Sequence, residues 1–160
     1  MQNNNNFNPE TGKYEYDFPM VSITVDCVIF RYNEISNSPE VLLIKRKNEP
    51  FKDCWALPGG FVDPNETIIE ATYREVLEET SVDIKNKSCF KYVAEKIYDT
   101  PNRDPRGRTI SMMSIAVIPN STKVEARDDA SEYKWFNINN LPSLAFDHRE
   151  MVEYSKKKVF

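Results

Sequence analysis

Between Glu66 and Glu79 the chain carries five glutamates, Glu66, Glu70, Glu75, Glu78 and Glu79, against a single arginine, Arg74, with no glycine or proline among them. Thr67 followed three residues later by Glu70 reads as a capping box, so a helix is predicted to start there. Ile69, Tyr73, Val76 and Thr80 fall on one stripe of that helix. Glu75, Glu78 and Glu79 cover an arc of about 100° roughly opposite. Such a segment must pack one face on a core while its other face presents three carboxylates. Like charges at this spacing destabilise a helix by a few tenths of a kcal/mol per pair, roughly. Arg74 can balance one of them. Hard divalent cations, Mg²⁺ or Mn²⁺, suit the remaining oxygens; a solvated acidic face is the alternative.

Around this helix the pattern is mostly that of strands. Val21, Ile23, Val25, Cys27 and Ile29 alternate with Ser22, Thr24 and Asp26, the period of a half-buried strand with Cys27 pointing inward. A turn-rich stretch, Asn33 to Pro39, leads to a second strand from Glu40 to Lys47, giving a hairpin. Trp55 to Val62 reads as a short strand interrupted at Gly59-Gly60. Further strands are predicted at Cys89 to Tyr98, Thr109 to Ile118 and Glu132 to Phe136. A last helix starts at Asp147, whose carboxylate can cap it with Glu150 reaching back, and ends at Lys156 to Lys158, where cations suit the dipole. Strands outnumber helices, and the helices are interspersed rather than strictly alternating. The fold class expected is α/β (α+β), a sandwich around a mixed sheet.

Residues 1–18 open with the polar tract Asn3 to Asn6, which reads as a flexible tail. The aromatics Phe7, Tyr14, Tyr16 and Phe18 also suit an arm packed on the body or on a partner subunit. Residues 19–160 are expected to form one domain. The formal net charge of the 160 residues is −4, and the acidic segment alone accounts for it, so the rest of the chain sums to zero. A mildly acidic chain argues against a dedicated nucleic-acid binder. The aliphatic runs Val41 to Ile44 and Ile115 to Ile118 are too short to cross a bilayer, and the polar start is not that of a secretory signal. Cys27, Cys54 and Cys89, odd in number and widely spaced, fit reduced thiols of the cytoplasm.

Counting from Gly60, Glu66 follows after five residues, and after seven more come Arg74-Glu75, Val76, Leu77, Glu78-Glu79, Thr80, Ser81 and Val82. This spacing strongly resembles the Nudix box, the signature of hydrolases that act on nucleoside diphosphates linked to another moiety. All defined positions but one match. Six of the matches demand a single residue type, which puts a chance hit on the order of one in 10⁵. The lead-in WALPGGF belongs to the same context. The departure is Ser81, where the family places glycine to take a left-handed cap; serine there should cost about 1–2 kcal/mol. Altered local stability is expected, not lost activity. KRKNEPFKDCWALPGGFVD, DTPNRDPRGR and LAFDHRE resemble the branch that contains ADP-ribose pyrophosphatases and Nudix-type repressors of NAD metabolism.

The resemblance implies a Nudix-type α/β/α sandwich, and a helix and preceding loop that hold divalent metal against a pyrophosphate. Carried over, Glu75, Glu78 and Glu79 are metal ligands, joined by a backbone carbonyl at Gly59 or Gly60. Arg74 orients a glutamate, and Glu66 stabilises the loop–helix junction. The general base is Glu78 or Glu79, or an acid of the ARDDASEY segment, Asp128, Asp129 or Glu132, unless that segment is only a solvent loop. Arg103, Arg106 and Arg108 form a loop whose guanidinium groups can grip phosphate or stack on a base; an ordinary polar hairpin tip reads the same. Arg106, Arg108, Arg46 and Gly60 are the candidate substrate contacts. Phe51 or Tyr98 stacks on a base or is buried packing. His148 is a helix-terminus or substrate contact.

The activity implied is metal-dependent cleavage of ADP-ribose to AMP and ribose 5-phosphate, in a cytoplasmic enzyme whose partner is a small nucleotide. Rival readings are a nucleoside-triphosphate pyrophosphohydrolase that removes damaged nucleotides and a non-catalytic ADP-ribose-sensing module. The repressors of this branch carry a winged-helix domain after the Nudix domain, and the residues after Asp147 are too few for one. Members of the family often pair, so a homodimer is also expected.

Overall fold

The computed structural model describes residues 7–17, 19–85 and 90–160, of which residues 7 and 90–92 are considered as backbone only. Readings that concern Asn3 to Asn6, Phe18 and Cys89 lie outside these residues. The described segment ahead of the main body forms a small antiparallel hairpin, β1 (Phe7–Asn8) and β2 (Lys13–Tyr14). Tyr14 of β2 and Tyr16 just after it stack with ring centroids 6.3 Å apart.

The body is built on β3 (Ser22–Asn33), β4 (Ser38–Arg46), β5 (Trp55–Ala56), β6 (Gly59–Phe61), β7 (Phe90–Tyr98), β8 (Thr109–Val117) and β9 (Ala130–Asn137). These make one seven-stranded sheet with the path β5-β4-β3-β8-β7, β6 pairing with β3 and β9 with β4. β3 and β8 run parallel while the other pairs are antiparallel, so the sheet is mixed, as expected. Helices α1 (Ile68–Thr80) and α2 (His148–Val159) cover opposite faces. Val28 and Phe30 of β3 pack with Met151 and Val152 of α2, whereas Cys27 and Ile29 pack with Val76 of α1. The alternation of Cβ direction along a strand splits these neighbours between two cores.

Two helices on one sheet explain where the sequence pattern misleads. The strand expected to be half-buried is buried from Thr24 through Phe30, Thr24 and Asp26 included, because both of its faces are covered. The break expected at Gly59-Gly60 falls instead at Leu57-Pro58. Proline has no N–H to give a ladder; its carbonyl accepts from Cys27, and the two glycines pair with Val25 and Asp26. Glycine is required at 59 because a Cβ would lie 2.1 Å from the Val25 carbonyl oxygen.

The capping box of α1 forms as predicted, with Glu70 N–H donating to Thr67 Oγ1 and Thr67 N–H donating to Glu70 Oε2. At its other end Ser81 adopts φ 59°, ψ 13°, the left-handed conformation that glycine takes without steric cost, and its hydroxyl is buried with no hydrogen-bond partner. Ser81→Gly is therefore expected to stabilise the protein by about 1 kcal/mol, read as a rise of roughly 2–4 °C in thermal midpoint. An unchanged midpoint would count against the strain. At α2 the expected cap is not made. The Asp147 side chain gives no capping bond because Arg103 holds its carboxylate, with Nε donating to Oδ2 at 2.7 Å.

Candidate active site

α1 does not turn all three carboxylates outward. Glu79 lies three residues after Val76 and shares its buried face, with 5% of its surface exposed. The helix lies beside β6, and Glu79 Oε2 accepts the Gly59 N–H at 2.9 Å. Glu75 is largely covered, while the Glu78 side chain remains 43% exposed. The missing side chain of Gly60 is what admits Glu75, since a Cβ there would lie 2.4 Å from Glu75 Oε1.

Arg74 organises this end of the site with all five of its N–H donors. They go to both oxygens of Glu66, to Glu75 Oε1 at 2.7 Å, to Glu78 Oε2 at 3.1 Å and to the Phe61 carbonyl. Glu66 also accepts from Asp63 N–H, so it ties the loop to the helix.

A cleft of about 220 Å³ opens above these groups. Glu75, Glu79 and Arg74 line it together with Gly59, Gly60, Asp129, Arg46 and Arg106. Arg46 stands at a register shift between β4 and β9, the kind of bulge that re-aims a side chain, and its Nε donates to the Pro50 carbonyl. Arg106 is held by the buried carboxylate of Asp104 and packs over the Phe61 ring at 4.6 Å. Both guanidinium groups pack over Phe146, and their repulsion adds to burial in lowering the proton affinity of Arg46.

Not every candidate reaches this space. Arg108 is exposed and donates to the Asp99 carbonyl at 2.6 Å. Glu78 is outside the lining. In the acidic segment Asp129 lines the cleft, whereas Glu132 pairs with Lys45 and Asp128 offers its carbonyl to Lys47 Nζ. Tyr98 is buried. Phe51 packs edge-on against Phe146, whose ring borders a smaller adjoining pocket.

Three buried groups were not singled out for the site from the sequence: Asp26, Arg103 in its actual role, and Asp104. Asp26 carries no local signal, since an acid in an alternating strand reads as solvent-facing. Burial works against its ionisation, but His148, Ser111 and Arg103 hold its carboxyl below the usual range.

Charge inside the cleft is unbalanced on the glutamate side. Burial pushes the Glu79 carboxyl up to about 8, and the neighbouring Glu75, Asp129 and Asp26 add to the effect against the Gly59 hydrogen bond. Burial raises Glu75 as well, against the pull of Arg74. Among the described residues no three acidic, His or Cys side chains already form a metal-ligating group. The hard oxygen donors, the raised proton affinities and the space left by Gly60 nonetheless fit a divalent cation.

The shift of Glu79 has a sign that can be tested. Its folded value lies above the ordinary 4.5, so the stability it contributes is full below that pH and is lost as pH rises through about 8. In metal-free protein the thermal midpoint of wild type should therefore fall relative to Glu79→Gln between about pH 5 and about pH 8. Parallel curves would show that the carboxyl is not perturbed.

Fold and site together define a three-layer α/β/α protein in which an acidic helix and a pair of arginines line the same cleft. The NUDIX domain profile matches residues 20–155, and the chain belongs to the Nudix family. It is 46% identical over 132 residues to an ADP-ribose pyrophosphatase of Methanocaldococcus jannaschii, covering 82% of this chain and 71% of the relative. Among solved structures it is similar to a bifunctional NMN adenylyltransferase/ADP ribose pyrophosphatase from Francisella tularensis, complexed with AMP and a Mn ion. That likeness has a TM-score of 0.77 at 31% identity, over 89% of this chain and 43% of the other. It is similar also to the NUDIX domain of Shewanella oneidensis NrtR complexed with ADP ribose, with a TM-score of 0.77 at 27% identity, over 97% and 95% of the two chains. The chain thus spans less than half of the Francisella protein. Among the described residues no helix is long and apolar enough to cross a membrane.

Proposed function

We propose that this protein hydrolyses ADP-ribose to AMP and ribose 5-phosphate with Mg²⁺ or Mn²⁺ as cofactor. The observation that carries this reading is the cleft itself, lined both by Glu75 and Glu79 and by Arg46 and Arg106. A diphosphate bound to a divalent cation presents positive charge to the carboxylates and anionic oxygens to the guanidinium groups. The similarity to the ADP-ribose pyrophosphatase of M. jannaschii supports the choice of substrate.

Glu75 and Glu79 would hold the metal, with Glu78 and the Gly59 carbonyl as further ligands. When bound, the ion neutralises phosphate oxygens and makes water a better nucleophile. Arg74 holds Glu75 and Glu78 in place by charge-assisted hydrogen bonds. Gly60, having no side chain, lets the Glu75 carboxylate reach the cleft beside the diphosphate. Arg46 and Arg106 grip its oxygens, and Phe146 beneath them keeps both planes fixed. Of the carboxylates offered as general base, Glu79 and Asp129 line the cleft, and either would take up the proton leaving the attacking water. Arg108 is assigned a place on the rim. We also place the protein in the cytoplasm, in keeping with the thiols Cys27 and Cys54, which are not joined in a disulfide.

Arg46→Ala or Arg106→Ala should raise KM for ADP-ribose about tenfold or more, the size of one lost charge-assisted contact. Arg108→Ala should change it by less than about threefold. Steady-state kinetics decide between this and a rim in which all three arginines count equally. The rival pyrophosphohydrolase reading predicts pyrophosphate from a nucleoside triphosphate. Comparing kcat/KM for ADP-ribose and 8-oxo-dGTP separates the two: preference for ADP-ribose is expected, and preference for the triphosphate would overturn the substrate assignment.

A further inference from the structure

The segment from Leu57 into β6, which carries Gly59 and Gly60, is fastened from both sides of the sheet. From α1, Glu79 takes the Gly59 N–H. From α2, across 91 residues of chain, His148 Nδ1 accepts the Leu57 N–H at 2.9 Å. That bond leaves the ring proton on Nε2, which faces Asp26 Oδ1 at 3.2 Å. Asp26 is fixed in turn, since Ser111 Oγ donates to its Oδ2 and Arg103 lies 3.9 Å away. Arg103 donates to Asp147, the residue before His148. His148, Asp26, Ser111 and the Arg103 side chain are all nearly inaccessible. The lead-in to α2 is tied to the same region, because Ala145 N–H donates to the Trp55 carbonyl.

This chain of contacts ends on the backbone segment whose Gly59 N–H binds the Glu79 carboxylate of the cleft. Asp26 Oδ1 lies 3.0 Å from where a Gly59 Cβ would stand. The same Arg103 belongs to the loop that brings Arg106 into the cleft lining. We propose that His148, oriented by Asp26, is a positioning residue that sets the Leu57–Gly60 backbone at the height where Gly59 and Glu79 can share a metal. The inference rests on the reading of the cleft as a metal–diphosphate site. A buried histidine that only filled the core could be replaced by any side chain of suitable volume at a cost in stability alone. Here the acceptor at Nδ1 matters separately from the donor at Nε2.

Two substitutions separate these atoms. His148→Asn keeps an oxygen acceptor where Nδ1 stands and loses the reach to Asp26. His148→Gln keeps a donor toward Asp26 and has no acceptor at the Nδ1 position. The test is Mn²⁺ binding to the full chain, read by the electron paramagnetic resonance signal of free Mn²⁺, with thermal midpoints and kinetics alongside. His148→Gln should weaken Mn²⁺ binding about tenfold and lower kcat more than it changes KM, the low end of the effect of losing a group behind a ligand. His148→Asn, which keeps the Leu57 contact and loses only Asp26, should weaken binding about threefold, between wild type and His148→Gln. If His148→Gln lowers the midpoint but binds Mn²⁺ as wild type does, the positioning role is wrong. Should that variant not fold, Ser111→Ala loosens Asp26 without touching the ring, and about threefold weaker binding is expected; wild-type binding overturns the inference. Failure of the underlying reading looks different. In that case wild type itself binds no Mn²⁺, or Glu79→Gln binds it equally well.

Discussion

Glu78→Gln and Glu79→Gln introduced together should lower metal-dependent turnover of ADP-ribose by about three orders of magnitude, the scale on which a metal site and a proton acceptor contribute. The fold should survive, because the amide carbonyl that Glu79→Gln introduces can still accept the Gly59 N–H that the carboxylate accepts at 2.9 Å. In metal-free protein, removing a carboxyl that burial pushes up to about 8 also removes a source of instability that grows from about pH 5 to about pH 8. The two positions should not contribute equally. Glu79 is buried and lines the cleft, whereas Glu78 is 43% exposed, outside the lining, and held by Arg74. Glu79→Gln alone is therefore expected to account for most of the loss, with Glu78→Gln at least about tenfold milder. Steady-state rates with Mg²⁺ and with Mn²⁺ measure this directly, and a Glu79→Gln variant with near-wild-type turnover would dismiss the assignment.

Arg103→Ala should produce the largest loss of stability. The guanidinium has 4% of its surface exposed and faces Asp147 and Asp26, both mostly buried. Truncating it leaves two carboxylates without their cation in a site that water hardly reaches, and breaking such a pair costs about 3–5 kcal/mol. For a chain of this size the thermal midpoint should drop by roughly 10 °C. Arg103→Lys should recover only part, because an ammonium cannot reproduce the two-pronged contact with Asp147. A midpoint within 1–2 °C of wild type in Arg103→Ala, roughly the effect of a surface change, would mean that the network is solvated.

What could be read from the chain beforehand depended on how local the signal was. Thr67, Glu70 and the spacing from Gly60 to Val82 are contained in one stretch, so the helix, its cap and the residues near the cleft were legible. The cost of Ser81 was legible too, because the left-handed cap belongs to the helix end itself. The burial of Glu79 was not, since the helix alone does not say how far the Gly59 loop reaches over it. Asp26 was hidden for a related reason. Alternation along a strand assigns an acid to solvent, and only the second helix, more than a hundred residues later, covers that face. Arg103, Arg106 and Arg108 look alike in DTPNRDPRGR. Tertiary contacts give them three tasks: one buried on Asp147, one on the cleft wall over Phe61, and one on a carbonyl at the surface. Asp147 reads as a helix cap until its partner Arg103 is seen to hold its carboxylate.

The similarity to a NUDIX domain complexed with ADP ribose raises a second alternative within the same family, a domain that binds ADP-ribose without cleaving it. Arg46, Arg106 and Phe146 would serve either role; the glutamates distinguish them. Glu75 and Glu79 are both present, both face the cleft and both have their proton affinity raised by burial, which is the condition of a site prepared for a cation. The most direct measurement is to incubate the purified chain with ADP-ribose and Mg²⁺ and to quantify products by chromatography, with a parallel sample in chelator. Equal amounts of AMP and ribose 5-phosphate, formed only with the divalent ion, are predicted; ADP-ribose that binds and is recovered intact would contradict the account.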